Sequence, residues 1–210
     1  MADDLVFYTH PQSRGRVVRW MLEEVGEPYR TELLDYDTTM KAPEYLAINP
    51  MGKVPALRHG NVVVTETAAI CAYLADAFPH AELAPPSEDR LRGPYYRWLF
   101  FAAGPVEAAA SNRALGLVVP VGRERMIGYG TFDDTMNTLE NAVSRGEYLV
   151  GDRFSAADVY VGSHIAFGLQ FGTLEKRAAF ERYVARLFAR PAALRAKQID
   201  DDIAATGQPK

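Results

Sequence analysis

The chain has 210 residues, 48% of them hydrophobic and 24% charged, and its formal net charge at pH 7 is -4. This length and composition suit one large or two modest globular domains and exclude a wholly disordered chain. The basic side chains are scattered rather than clustered, so the sequence offers no general surface for nucleic acid.

The first part of the sequence alternates between strand and helix patterns. Residues 5–8 are a short β-prone run. Apolar residues then recur at helical spacing from Val17 to Val25, and residues 29–34 can form a second strand. This order predicts a β-α-β unit whose two strands are parallel.

Two more short strands follow after a loop. Residues 54–58 and 62–64 are β-prone, and the short connection between them contains a glycine. Such a connection predicts an antiparallel hairpin. A helix then opens at Thr65 or Glu66, and Pro79 ends it. The first 80 residues therefore describe a mixed sheet with helices packed on it.

The remainder of the chain shows helix patterns. Residues 81–87 include two adjacent prolines and predict a linker, which separates a domain at 1–80 from an all-helical domain at 88–210. Pro105 is expected to kink or interrupt the first long helix of that domain. Apolar residues in steps of three and four predict a later helix pattern that begins near Met126.

One helix start in the second domain is unusually well marked. Ser155 stands where an N-cap would be, and Asp158 follows three residues later, so the two can form a capping box. The loss of either is expected to cost roughly 1 kcal/mol or more. We assign both residues a structural role.

Four segments of the sequence carry a specific resemblance to known proteins. They are Tyr8-Thr9-His10-Pro11-Gln12-Ser13-Arg14-Gly15-Arg16, then Asn49-Pro50-Met51-Gly52-Lys53-Val54-Pro55, then Thr65-Glu66-Thr67-Ala68-Ala69-Ile70, and finally the capping box at 154–158. In order and spacing they resemble the cytosolic glutathione transferase family, of bacterial type with a serine-type active site. The resemblance implies a thioredoxin-like glutathione-binding domain followed by a helical-bundle domain that forms the other wall of the active site.

The resemblance implies that Ser13 is the catalytic residue. The glutathione thiol is mostly protonated at neutral pH, and both a hydroxyl donor and the positive end of a helix favour its thiolate. Ser13 lies where it could supply both, although it could also be simply the N-cap of the first helix. In comparison with some classes of the family, the position of the catalytic serine corresponds to Gln12 instead. Tyr8, Thr9 and His10 are further rivals, and a core role suits Tyr8 better.

Five residues are implied to bind glutathione. A cis bond before Pro55 would turn the Val54 backbone toward the cysteinyl part of the tripeptide, and Lys53 could reach the glycyl carboxylate. At the start of the third helix, Thr67 would donate to the γ-glutamyl carboxylate while Glu66 pairs with the ammonium group. An ordinary loop proline, a solvated lysine and a capping pair are the alternatives.

The single cysteine, Cys71, cannot form an internal disulfide, and neither a secretory signal nor a membrane span is expected, so the sequence predicts a cytoplasmic protein. Cys71 lies among apolar residues and is expected to be a small buried hydrophobe. The turn around Ser13 has no cysteine, which disfavours the thiol-exchanging omega and beta classes. The four histidines lack ligand spacing, so no metal is expected.

The implied activity is conjugation of glutathione, as co-substrate, to small hydrophobic electrophiles, as in detoxification. Family position assigns Phe101, Pro105 and Asn112, with Arg97, to the electrophile pocket. The resemblance also implies a homodimer, with which the apolar pattern of residues 95–101 is consistent. Glutathione-dependent peroxidase or isomerase activity on the same site is an alternative. A non-catalytic binding protein of the stringent-starvation type is another.

Overall fold

A computed structural model describes residues 4–206 of the protein. The described residues form two compact units. One contains the chain up to Leu83 together with the chain from Ala189 onward, and the other is Ala84–Phe188. The sequence predicts that 88–210 is all helical domain, whereas the last helix belongs to the first unit.

The first unit contains a four-stranded sheet in the order β2-β1-β3-β4. Its strands are β1 (Leu5–Thr9), β2 (Arg30–Leu33), β3 (Ala56–His59) and β4 (Val62–Thr65). β1 and β2 are parallel, while β3 is antiparallel to both β1 and β4. The predicted β-α-β unit and hairpin are confirmed. Every residue of β1 is buried, as expected for a central strand covered on both faces.

The helices divide between the two units. In chain order they are α1 (Gly15–Val25), α2 (Pro43–Leu46), α3 (Thr67–Ala77), α4 (Arg92–Phe101), α5 (Glu107–Ala114), α6 (Phe132–Val143), α7 (Ala156–Phe171), α8 (Ala178–Phe188) and α9 (Pro191–Thr206). α1 ends at Gly26, whose φ of 79° is in the left-handed region that glycine adopts readily. α3 ends two residues before Pro79, as predicted. It carries the fully buried Cys71, and burial raises the pKa of this thiol to about 12.

α9 packs against α1 within the first unit. Among the described residues, four ion pairs join α1 to the C-terminal segment, and their order shows that the two segments are antiparallel: Arg16–Asp201, Arg19–Asp200, Glu23–Arg195 and Glu24–Arg190. The Arg19–Asp200 pair is buried, while the other three lie nearer the surface. This complementary charge pattern, added to apolar burial, explains why the C-terminal helix joins the sheet-containing unit.

The second unit begins with α4 and α5, which are joined by a π-helical segment, Ala102–Val106. Pro105 lies inside that segment, because a proline has no N–H with which to continue the α-helical ladder. The predicted interruption is therefore confirmed. The helix pattern predicted from Met126 onward is wrong at its start, since α6 begins at Phe132. Gly130, with φ of 66°, breaks the periodicity before it.

The predicted capping box at the start of α7 is confirmed, and it is part of a larger buried network. One oxygen of Asp158 accepts from the Ser155 N–H at 2.9 Å and from the Ser155 hydroxyl at 3.0 Å. The other accepts from the Leu149 N–H at 2.9 Å and the Tyr183 hydroxyl at 2.7 Å. Burial raises the pKa of Asp158, and these hydrogen bonds oppose the rise. The network ties the segment before α7 to α8.

Within residues 4–206, none of the helices combines the length and apolarity that crossing a bilayer requires.

Candidate functional site

The turn between β1 and α1 positions Ser13. Its hydroxyl donates to the His10 carbonyl at 2.6 Å and accepts from the Gly15 N–H at 2.9 Å. The side chain is half-buried, so a ligand can reach it. Ser13 thus stabilises the turn that leads into α1, whose N-cap position is Arg14, and it can donate to a ligand after rotating away from the His10 carbonyl.

Three consecutive carbonyl groups of this turn are each bound by a side chain. Ser13 donates to the His10 carbonyl, Arg16 Nε to the Pro11 carbonyl at 2.6 Å, and the Tyr36 hydroxyl to the Gln12 carbonyl at 3.0 Å. Among the described residues, the Ser13 N–H has no hydrogen-bond partner. The three carbonyl acceptors of the turn are therefore engaged, while the Ser13 N–H remains able to donate to a ligand at the positive end of α1.

The rivals of Ser13 differ in exposure. Thr9 is fully buried, and Tyr8 lies in a core cluster with its ring 5.7 Å from that of Tyr45. His10 is half-buried, and its Nδ1 accepts from the Gln12 N–H at 3.1 Å. The side chain of Gln12 is exposed. The turn surface therefore presents Ser13, His10 and Gln12 to solvent, while Tyr8 and Thr9 serve packing.

Gly15 allows β1 and α1 to approach closely. A Cβ added there would lie 1.9 Å from the Thr9 Oγ1 and 3.0 Å from the Ser13 Oγ. We expect Gly15→Ala to lower the free energy of unfolding by about 1–3 kcal/mol, because overpacking must displace the turn. Chemical denaturation measures the loss. Thr9→Ala in the same background should restore part of it by removing the clashing hydroxyl.

Gly93 provides the control for this prediction. It also lies in the first turn of a helix, but a Cβ there meets no atom of the described residues within 4 Å. Gly93→Ala should leave stability unchanged or slightly increased, since alanine is the better helix former. Equal losses for Gly15→Ala and Gly93→Ala would contradict the assigned clash.

The loop before β3 carries the second part of the site. The Val54–Pro55 peptide bond is cis, as the resemblance implies. In the described part of the chain, neither the N–H nor the C=O of Val54 forms a hydrogen bond. An extended peptide could pair with both groups as an added strand. Lys53 is exposed, and its ammonium likewise has no partner among the residues described.

Side chains that the sequence did not single out hold this loop. The Tyr45 hydroxyl and Asn49 Nδ2 both donate to the Lys53 carbonyl, at 2.6 and 2.7 Å, and Lys41 donates to the Gly52 carbonyl at 2.8 Å. Burial raises the pKa of Tyr45 to about 12, so its hydroxyl remains a donor. Asn49 belongs to the quoted motif, which could have drawn attention to it. Lys41 and Tyr45 fall in a part of the sequence that shows neither strand nor helix spacing, so no pattern marks them in advance.

The start of α3 carries the third part of the site. Glu66 adopts a φ of 66°, in the left-handed region that a glutamate rarely enters, and its carboxylate is exposed. Such backbone strain persists where the surrounding structure requires it, often at ligand sites. The Thr67 hydroxyl and the Glu66 carboxylate have no hydrogen-bond or ion-pair partner among residues 4–206. With the free N–H groups of the first turn, they suit a ligand that has both charges.

The strand register brings the three segments to one end of the sheet. Ala56, the first residue of β3, lies opposite Tyr8 near the end of β1 and opposite Thr65 at the end of β4. Three segments therefore extend past the same end of the sheet: the residues that precede Ala56, those that follow Tyr8 and those that follow Thr65. Ser13, Val54 and Thr67 come from these extensions.

The residues assigned to the electrophile pocket lie in the second unit. Phe101 ends α4, Pro105 is in the π-helical segment and Asn112 is on α5, and all three are half-buried. Asn112 Nδ2 donates to the Tyr129 hydroxyl at 3.0 Å. The Arg97 guanidinium lies 4.0 Å from the centre of the Trp98 ring. Phe101, Pro105 and Asn112 thus lie along one continuous helical stretch, formed by α4, the π-helical segment and α5.

Comparison with known proteins is consistent across sequence and structure. Residues 14–77 match a family model described as the glutathione S-transferase N-terminal domain. Glutathione S-transferase hmp2 of Hypomyces subiculosus is 28% identical over 199 residues, 87% of this chain and 92% of that protein. The glutathione S-transferase-like protein gedE of Aspergillus terreus is 31% identical over 159 residues, 66% of this chain and 67% of that protein. Glutathione transferase URE2P6 of Phanerochaete chrysosporium, solved in complex with oxidized glutathione, is 27% identical with a TM-score of 0.77, covering 95% of this chain and 97% of that one.

Proposed function

Because the chain belongs to the glutathione S-transferase family, we propose that it binds glutathione and transfers the tripeptide's thiolate to small hydrophobic electrophiles. The observation that carries the proposal is a set of polar groups at one end of the sheet that have no partner within residues 4–206: the Val54 backbone, the Glu66 carboxylate and the Thr67 hydroxyl. The complex of URE2P6 with oxidized glutathione supports it.

Each polar group of glutathione has a counterpart among these groups. The γ-glutamyl carboxylate suits the first turn of α3, where Thr67 and free N–H groups donate, and its ammonium suits the Glu66 carboxylate. The cysteinyl backbone suits the N–H and C=O of Val54. The glycyl carboxylate suits Lys53. This arrangement directs the thiol toward the turn that contains Ser13.

The turn then favours the thiolate in two ways. The Ser13 hydroxyl can exchange the His10 carbonyl for the sulfur, because a charged acceptor forms the stronger hydrogen bond. The Ser13 N–H, which has no partner among the described residues, adds a second donor at the positive end of α1. The remaining rate acceleration comes from holding an electrophile beside this thiolate.

Ser13→Ala is expected to raise the pKa of the bound glutathione thiol by about one unit, which corresponds to about 1.4 kcal/mol. A thiol with a raised pKa is less ionised at neutral pH, so kcat/KM there should fall about tenfold and recover as pH rises. The thiolate's ultraviolet absorbance, titrated on the bound tripeptide, measures the shift. The free energy of unfolding should fall by about 1 kcal/mol, since the hydrogen bonds of the Ser13 hydroxyl within the turn are lost.

Gln12→Ala is the matched control, because Gln12 is the neighbouring rival and its side chain is exposed. It should leave the thiol pKa and the stability unchanged. If Gln12→Ala shifts the thiol pKa and Ser13→Ala does not, the assignment of Ser13 fails.

Two measurements test the proposed activity itself. Folded protein should be retained on immobilised glutathione, and no retention would favour a non-catalytic binding module. Turnover should be higher with chlorinated aromatics than with hydroperoxides or maleylacetoacetate. The reverse order would assign the site to peroxide reduction or isomerisation.

We also propose that the protein is a homodimer. Support comes from apolar side chains that lie exposed on two elements, Tyr96 and Phe100 on α4 and Val62 and Val63 on β4. Phe100 is the most exposed of these four side chains, at 72%. Sedimentation at micromolar concentration should give twice the chain mass, and a monomer mass would refute the proposal.

A further inference from the structure

Arg16 connects the turn at residues 10–13 to the C-terminal helix. Its Nε donates to the Pro11 carbonyl at 2.6 Å, and its Nη1 donates to the Asp201 carboxylate on α9 at 2.8 Å. One planar guanidinium thus bridges a backbone group two residues before Ser13 and a carboxylate far away in sequence. Such a fork fixes both partners in position more firmly than a single ammonium could.

The other three of the ion pairs described above do not reach the turn. Arg19–Asp200, Glu23–Arg195 and Glu24–Arg190 follow one another along α1, away from its N-terminal end. Of the four pairs, Arg16–Asp201 is the one whose guanidinium also contacts a carbonyl of the turn. Because the helices are antiparallel, the last turns of α9 lie beside the start of α1.

We propose that Asp201, acting through Arg16, holds the Pro11 carbonyl and thereby fixes the turn so that the hydroxyl and N–H of Ser13 face the glutathione thiol. Arg16 is then a positioning residue, and α9 is part of the catalytic apparatus although it does not touch the substrate. The inference rests on the proposed function, since it names what orients the thiolate-stabilising donors. The side chains of Arg16 and Asp201 are 28% and 40% exposed, so the link can be removed without opening the core.

The link does not titrate along with the thiol. A hydrogen bond from Lys197, and then one from Arg16, lowers the pKa of Asp201 below its ordinary value. The carboxylate therefore stays ionised wherever glutathione forms a thiolate. A change in the thiol titration of a variant at this link then reports a change in geometry.

Asp201→Asn tests the inference, because it keeps the size of the side chain and removes the charge. With glutathione and a chlorinated aromatic, kcat should fall about tenfold while KM for glutathione stays within about twofold, since misplacement of a catalytic group affects the reaction more than binding. Lys197→Gln removes the other partner of Asp201, and Arg195→Gln removes another α1–α9 pair. Both controls should leave kcat within about twofold.

Arg16→Lys supplies an independent variant, because one ammonium cannot bridge both partners. It should lower kcat to the same extent, and the double variant with Asp201→Asn should be no worse than either single one. Multiplicative losses in the double variant would overturn the inference. So would a kcat for Asp201→Asn equal to that of the two controls, or a loss that follows unfolding midpoints across all the variants.

Glutathione binding and turnover by the unmodified protein separate the two proposals. If folded protein neither binds glutathione nor turns it over, the proposed function fails and this inference fails with it. If the unmodified protein is active and Asp201→Asn is equally active, the inference alone is overturned.

Discussion

Asp158→Ala is expected to lower the free energy of unfolding by roughly 3–5 kcal/mol, the largest stability effect we predict for a single substitution. Asp158 is fully buried and accepts four hydrogen bonds, two from Ser155 and one each from Leu149 and Tyr183. Removing the carboxylate leaves those donors buried without an acceptor. Desolvation of Asp158, which raises its pKa, offsets part of its contribution, so the loss comes mainly from the orphaned donors.

Thr131 and Asp134 at the start of α6 give a matched control. The Thr131 hydroxyl donates to the Asp134 carboxylate at 2.7 Å, and the Asp134 N–H donates to the Thr131 oxygen at 3.0 Å. Both residues are exposed, so Asp134→Ala should cost only about 0.5–1 kcal/mol. Urea denaturation of the two variants compares a buried capping acid with an exposed one. Similar losses would show that burial of the network adds nothing.

Thr67→Val is expected to weaken glutathione binding by roughly 10- to 100-fold and to leave stability unchanged. The change keeps the β-branched shape and removes a hydroxyl that has no hydrogen-bond partner within residues 4–206. A hydrogen bond to a charged group contributes about 1.5–3 kcal/mol, which sets the size of the effect. Calorimetric titration with glutathione measures the loss of affinity.

A second ligand sharpens this test. Cysteinylglycine lacks the γ-glutamyl carboxylate, so Thr67→Val should not change its affinity. Thr65→Val, at the end of β4, is the control substitution and should change neither affinity. If Thr67→Val weakens both ligands equally, the hydroxyl does not contact the γ-glutamyl group.

Much of the first unit could be predicted from short-range patterns. The β-prone runs, the helical spacing between Val17 and Val25 and the short connection before β4 each determine a local structure, and together they leave few topologies. The capping box at Ser155 and the interruption at Pro105 were equally local. Each depends on the chemistry of one residue type at a helix start or within a helix.

The partner of the last helix could not be predicted in this way. An amphipathic pattern shows that a helix has a face to bury and does not show what covers it. The charges that select α1 become paired only in the folded protein, as Arg195 with Glu23 illustrates. The error near Met126 has a local cause, since Gly130 interrupts an apolar pattern that continues across it.

The candidate site was predictable to a different extent. The strand register explains why its three segments meet, but the roles of Ser13 and Thr67 came from resemblance to a family and are still predictions. The residues that brace the site were not predictable. Tyr36 and Tyr45 donate to backbone carbonyls of Gln12 and Lys53. A donor to a backbone carbonyl needs no particular spacing, because every residue supplies that acceptor.

The burial of Cys71 has a consequence for every thiol measurement on this protein. With a pKa of about 12, its own sulfhydryl stays protonated and out of reach at neutral pH. The chain holds no second cysteine. Any thiolate that absorbs ultraviolet light or reacts with a thiol reagent in a mixture of native protein and the tripeptide is therefore the tripeptide's own. Native protein alone supplies the blank.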